Sequence, residues 1–291
     1  MELLVTGLGF LEAPVWDEKL GLMFADAMRG GVYRLKEDLG LTPVIEHRRG
    51  IGGVVRHALG GLIVSGRNVA HKSFLSSDTV ILADNDIAKG IVGFNDITTD
   101  SKGRIYAGAL GFVPSMSSGF DSDIKSAPLL LIDLDGSTRT VYSTVKLSNG
   151  LGLSPTGTTL YHADSGDRRV YTYDVSLDGS LSNRKPFTSV NVGLPDGLAV
   201  SADGCVWLAD AEGGRVLRLS PTGTLNNEVK FPVPIITSLC FGGADMMDVY
   251  VVSGSDGSKA DAGSIFRLRS DVRGLVIPPA RVTLPTASQS Q

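Results

Sequence analysis

The chain has 291 residues, 42% of them hydrophobic and 20% charged, enough to bury a large core. Its formal net charge of −4 carries no basic footprint for nucleic acid. No polybasic, amphipathic or long apolar stretch suits a membrane.

Thirty-six glycines with sparse Lys and Glu favour strands joined by tight turns over helices. The opening "MELLVTGLGFLEAP" has an acidic second residue and no continuous apolar run, a poor signal peptide that leaves a cytoplasmic protein as the expectation. Within it, "ELLVTG" (2–7) reads as a strand. Six short apolar segments of one form follow: "LMFAD", "LIVSG", "IYAGA", "LYHAD", "VWLAD" and "VYVVS". Their second residues are Met23, Ile63, Tyr106, Tyr161, Trp207 and Tyr250, spaced by 40, 43, 55, 46 and 43 residues. Gly-bearing turns such as "SPTG" and "SADG" precede most of them, and a further apolar alternation such as "GVYRL" or "RVLRLS" follows.

Each period therefore reads as three or four antiparallel strands, the sequence form of a β-propeller blade. The fold class predicted is all-β: a six-bladed β-propeller of four-stranded antiparallel blades, one domain over 1–285. The leftover strands "ELLVTG" and "ARVTLP" (280–285) are expected to pair and close the ring, with "TASQSQ" as a disordered tail over 286–291. The 55-residue spacing reflects an insertion, "GFVPSMSSGFDSDIKSAP" (111–128), expected to form a lid presenting Phe112 and Phe120. Cys205 and Cys240 lie in apolar stretches and are expected as buried thiols. His47 and His57 sit in polar turns and are expected in solvent, whereas His162 is either a core residue or channel-facing. His71 and Arg67, after the second apolar segment, are expected to line the channel mouth and bind substrate. Trp207, Tyr106, Tyr161 and Tyr250 are expected between blades, and Asp26, Asp164 and Asp210 as acceptors at strand ends.

Counting back 11 residues from Met23, Tyr106 and Trp207 lands on Glu12, Asn95 and Asp196, and 12 from Tyr161 on Asn149, one extra residue fitting its longer turn. Counting 11 back from Ile63 and 13 from Tyr250 gives Gly52 and Thr237 in the two other repeats. Equivalent positions in a closed ring lie at one height around its axis, so these side chains converge. Any one Asn or Asp is more simply a turn former; four in one register are not. Two carboxylates and two amide oxygens at one point would repel or share a proton unless a cation joins them. All-oxygen donors suit hard cations. The expected cofactor is one divalent ion: Ca²⁺, Mg²⁺, Mn²⁺ or Zn²⁺.

At these residues the chain resembles a known family. "EAPVW", "FNDITTDSKGRIYAG", "SNGLGLSPTGTTLYHADS", "LPDGLAVSADGCVWLAD" and "TSLCFGG" are similar to the regucalcin/gluconolactonase (luciferin-regenerating) family of six-bladed propellers, over roughly residues 10–270. The resemblance implies a divalent-metal enzyme, most often a hydrolase of lactones. It assigns Glu12, Asn149 and Asp196 as metal ligands, Asn95 to the metal shell or to substrate and water, and Asp196 as acid/base. Aldonolactone-cleaving members carry an Arg where this chain has Gly93 and a Glu where it has Phe112. Losing both argues against a sugar lactone, because a site built for hydroxyls discriminates through them.

The function expected is thus metal-dependent hydrolysis of a relatively apolar lactone or related ester, with Asp196 and Asn95 catalytic and Asn95, Phe112, His71 and Arg67 binding substrate. No Gly-x-Ser-x-Gly elbow, zinc-type His pair or phosphate loop competes. Phosphotriester hydrolysis and non-catalytic ligand or protein binding stand as alternatives, and an amine–aldehyde condensation as a more distant one. The partner expected is a small molecule, with the chain a monomer or small homo-oligomer.

Overall fold

Each sequence period becomes one four-stranded antiparallel sheet, and six such sheets form the ring. The computed structural model describes residues 1–36, 40–113, 124–255 and 261–285. In chain order the inner strands of blades 1 to 6 are Leu11–Asp17, Val54–Arg56, Gly93–Thr99, Ser148–Leu153, Pro195–Val200 and Ile236–Gly242. Met23, Ile63, Tyr106, Tyr161, Trp207 and Tyr250 all lie in the second strand of their blades. Their burial explains the period. Each joins a different apolar cluster that spans two neighbouring blades, such as Tyr106 with Leu151 and Leu160, or Trp207 with Leu239 and Phe241. Trp16 stacks on Tyr250 at 5.4 Å between blades 6 and 1, and the Tyr106 hydroxyl donates to the Gly179 carbonyl of blade 4 (2.9 Å). Burying an aromatic of this size contributes about 2–3 kcal/mol, so the ring is held mainly by these interfaces.

The ring closes by pairing its N- and C-terminal strands as expected, but the C-terminal partner differs. Glu2–Leu8 is the outermost strand of blade 6 and pairs with Gly263–Arg269, not with 280–285. The segment after Gly263–Arg269 instead crosses the lower end of the ring. Leu275 N–H donates to Val200 O (2.9 Å), Ala280 N–H to Arg56 O (2.7 Å) and Thr283 N–H to Leu134 O (2.7 Å). Pro278 and Pro279 have no N–H to offer a ladder, so this stretch bonds to turns of several blades. It covers His57, which is buried rather than solvated and meets Val282 O at 3.0 Å through its Nε2. His47 is exposed as expected. Both cysteines are free and buried. Among the described residues no helix is long and apolar enough to cross a membrane. The expected tail (286–291), Phe120 and most of the expected lid (111–128) lie outside the described residues.

Candidate functional site

Glu12, Asn149, Asp196 and Thr237 each stand second in their inner strand, and Asn95 third. The inner strand carries one extra residue at this height in five blades. The register slips between Glu12 and Val15, Phe94 and Ile97, Ser148 and Leu151, Pro195 and Leu198, and Ile236 and Ser238. Such a bulge interrupts pairing and re-aims a side chain, which frees these residues from the alternation of the sheet.

A chain of hydrogen bonds links three blades at the mouth. Asn95 Nδ2 donates to Ser148 O (2.9 Å) and to Asn149 Oδ1 (2.6 Å). Asn149 Nδ2 donates to Ser165 Oγ (2.7 Å), whose hydroxyl donates to Pro195 O beside Asp196. With its nitrogen so committed, Asn95 turns Oδ1 toward Gly52, where a Cβ would stand 1.9 Å away. The blank position of blade 2 is thus the space the Asn95 amide uses. In blade 6 the Thr237 hydroxyl donates to Leu11 O (2.6 Å), tying that blade to the residue before Glu12.

The electrostatics are those of an acid cluster. Burial raises the Glu12 pKa well above the ordinary carboxylate range, and the negative charges of Asp196 and Asp96 raise it further. Burial, then Asp96, does the same to Asp196. Asp196 is 7% exposed and its Oδ1 has no hydrogen-bond partner. An unpartnered buried carboxylate oxygen is costly, and a cation is one group that satisfies it. Among the described residues no three His, Cys, Asp or Glu are grouped to hold a metal, so a cation here would rely on amide oxygens to complete two carboxylates. That donor set fits Ca²⁺, Mg²⁺ or Mn²⁺ better than Zn²⁺.

Asp96 is a third acid that the register did not single out. Burial lifts its pKa to about 7, and it lines a cavity of about 280 Å³ with Ile97, Leu151, Leu198 and Leu239, bounded below by residues 275–278. Its signal was the adjacency "ND" in "FNDI". Ser165 was likewise missed, though it directly follows Asp164. Behind the ring, the strand-end acids act as expected. Asp26 accepts from Gly9 N (2.9 Å), Asp164 from Leu147 N (3.0 Å) and Asp210 from Leu194 N (3.0 Å). Each therefore fixes the backbone two or three residues before Glu12, Asn149 or Asp196.

Of the expected rim residues, Arg67 and Phe112 lie at the upper end. Arg67 is in a turn bonded to Phe94, and half-buried Phe112 follows the second strand of blade 3. His71 is not brought to them. It is buried toward the lower end, where its Nε2 meets Gly60 O (2.8 Å) and its ring packs on His57 at 5.0 Å; strand alternation turned it into the blade. His162 is a core residue, fully buried with Nε2 2.8 Å from Ser148 Oγ, next to Asn149.

Residues 10–255 match the family described as SMP-30/Gluconolactonase/LRE-like region. The 6-deoxy-6-sulfogluconolactonase of Pseudomonas putida is 30% identical over 281 residues, covering 92% of this chain and 93% of the relative. Regucalcin of Danio rerio is 34% identical over 260 residues, 86% and 85% of the two chains. The fold matches a luciferin-regenerating enzyme structure with a TM-score of 0.84 at 24% identity, over 97% and 99% of the chains. It also matches a calcium-binding regucalcin of Agrobacterium tumefaciens with a TM-score of 0.82 at 18% identity, over 97% of each. By sequence and by architecture, this chain belongs to the SMP-30/gluconolactonase/LRE-like family.

Proposed function

We propose that the chain is a divalent-metal-dependent hydrolase of a lactone or related ester, with a ring less hydroxylated than a sugar lactone. The observation that carries this reading is the buried, unpartnered Asp196 Oδ1 at a mouth shared with Glu12, Asn149 and Asn95. A lactonase among its relatives supports the reaction class. Glu12, Asn149 and Asp196 would hold the cation, with Asn95 beside them as a fourth ligand or as the holder of substrate and water. When bound, such an ion polarises the substrate carbonyl and stabilises the charge that develops on its oxygen.

The remaining work falls to the chain's own groups. Asp196 takes the proton of the attacking water as the new carbon–oxygen bond forms, then returns it to the ring oxygen as the ester bond breaks. Glu12 balances positive charge. Asn149, held through Ser165, keeps its oxygen toward the mouth, and Phe112 offers an apolar wall to the ring. The free, buried cysteines suit a reducing compartment such as the cytoplasm.

A panel of aliphatic and aromatic lactones, assayed with Ca²⁺, Mg²⁺, Mn²⁺ or Zn²⁺, tests the reading. Turnover lost on adding EDTA, restored by one of the ions and abolished in Asp196→Asn supports it. Turnover of paraoxon without any lactone replaces it with phosphotriester hydrolysis. A protein inert to both, losing only thermal stability on chelation, overturns catalysis altogether.

A further inference from the structure

At the mouth a turn stands where a side chain would otherwise be. Gly93 opens the inner strand of blade 3 and precedes Asn95 by two residues, just ahead of the bulge that re-aims Asn95. A Cβ on Gly93 would lie 2.9 Å from the Gly66 carbonyl oxygen and 3.8 Å from the Arg67 Cα. Blade 2 fills the space with its turn at 66–68. Two backbone bonds pin that turn to blade 3: Gly66 N–H to Phe94 O (3.1 Å) and Phe94 N–H to Gly66 O (2.6 Å). Ser65, Asn68 and Val69 around it are buried, so the turn is fixed on both sides.

Arg67 alone projects from it into solvent, and among the described residues no carboxylate forms an ion pair with it. Many other arginines here are paired, as Arg104 is with Asp100 and Arg215 with Asp210. On the other side of Gly93 stands its strand partner Leu110, with Phe112 two residues further on. An apolar ring and a guanidinium without an ion-pair partner among the described residues thus flank the position next to Asn95.

We propose that Arg67 makes this site selective for lactones bearing an anionic substituent, a carboxylate being the simplest case; the proposal rests on the lactonase reading above. Its guanidinium presents a planar fork that matches a carboxylate with two hydrogen bonds. The acids of the mouth do not serve this purpose, since carboxylates repel an anion. Phe112 covers the hydrocarbon part of the same substrate. The combination is suited to a ring poor in hydroxyls that carries one negative charge.

The test compares two probes of similar size, γ-carboxy-γ-butyrolactone and γ-methyl-γ-butyrolactone, in the wild type, Arg67→Ala, Arg67→Lys and Arg49→Ala. Arg49 is an exposed arginine of the neighbouring loop whose stem runs along Gly30. The wild type should favour the carboxylated lactone by about tenfold or more in kcat/KM, mostly through KM, and less as salt rises. Arg67→Ala should bring that ratio near one, Arg67→Lys should keep part of it, and Arg49→Ala should leave it unchanged. Equal turnover of both probes by the wild type, or a preference that survives Arg67→Ala, overturns the proposal while leaving the lactonase reading intact. If neither probe nor any lactone of the panel is hydrolysed, that reading falls, and calorimetric binding of the open-chain hydroxy diacid decides the role of Arg67. Binding lost in Arg67→Ala supports an anion site; binding equal in both proteins, or absent from both, overturns it.

Discussion

The Asn95 side-chain nitrogen lies 2.6 Å from Asn149 Oδ1, a contact across a blade boundary between residues 54 apart in sequence. Neither amide holds its orientation alone: Asn149 is anchored by Ser165, and Asn95 by Asn149 and the Ser148 carbonyl. Asn95→Ala should therefore remove a polar group at the proposed reacting centre and loosen a second one. We expect a loss of about 10²–10³ in kcat/KM, the scale of deleting one preorganised donor, with a melting temperature within a few degrees of the wild type. Steady-state kinetics and thermal melting on the same preparation check both.

Gly52 carries no functional group, yet its substitution should act on the reaction. A Cβ there would stand 1.9 Å from Asn95 Oδ1 and 3.0 Å from its Cγ, so Gly52→Ala must displace that amide. Activity should fall by about tenfold or more, since displacing a positioned group by an ångström costs that much. Wild-type activity in this variant would show that the Asn95 orientation has no bearing on turnover.

The strand-end acids should matter to stability and metal affinity together. Asp210 is 1% exposed and accepts from Leu194 N–H and from Arg215 Nε at 2.7 Å. Asp210→Ala leaves a buried N–H and part of a guanidinium without partners, at a cost of about 3 kcal/mol. Denaturant unfolding should report that loss, and calcium titration should report weaker binding because the backbone leading into Asp196 is released.

The carboxylates give a pH signature. In chelated protein, Glu12, Asp196 and Asp96 keep their protons at pH values where the unfolded chain has lost them. Their contribution to stability is complete below the unfolded pKa, about 4, and is lost as pH rises through the folded value, about 7 for Asp96. Cation binding needs the ionised forms and so strengthens over the same range. The rise in Tm produced by calcium should therefore be larger at pH 8 than at pH 5. Taking the calcium-induced shift also sets aside His162, whose burial depresses its pKa to about 3 and whose contribution is lost in the opposite direction, as pH falls below about 6.5. A calcium shift equal at both values contradicts the assignment.

The architecture was legible because repetition shows directly in sequence: one large apolar residue per period fills one interface, so the period survives even where blade 3 carries its insertion. The gathering of Asn95 with Asn149 and of Glu12 with Asp196 was legible for the same reason, since a ring turns a register into a place. What repetition could not show is what breaks it. Asp96 lines the cavity because a bulge alters the alternation after Phe94, and the bulge leaves no mark in composition. His71 was misplaced because its strand runs away from the mouth, and only its pairing with Ile63 and its contact with the Gly60 carbonyl fix which end it reaches. The closing strand was misassigned because 280–285 has a strand's apolar pattern, while the two prolines before it prevent regular pairing.

The central claim is that Glu12, Asn149 and Asp196 close on a single cation. An anomalous difference map from a crystal of the protein soaked in manganese measures this most directly. The account predicts one strong peak on the ring axis at the upper mouth, within about 2.0–2.4 Å of oxygens from all three residues. Glu12 and Asp196 turned apart with only solvent between them, at saturating metal, would contradict it.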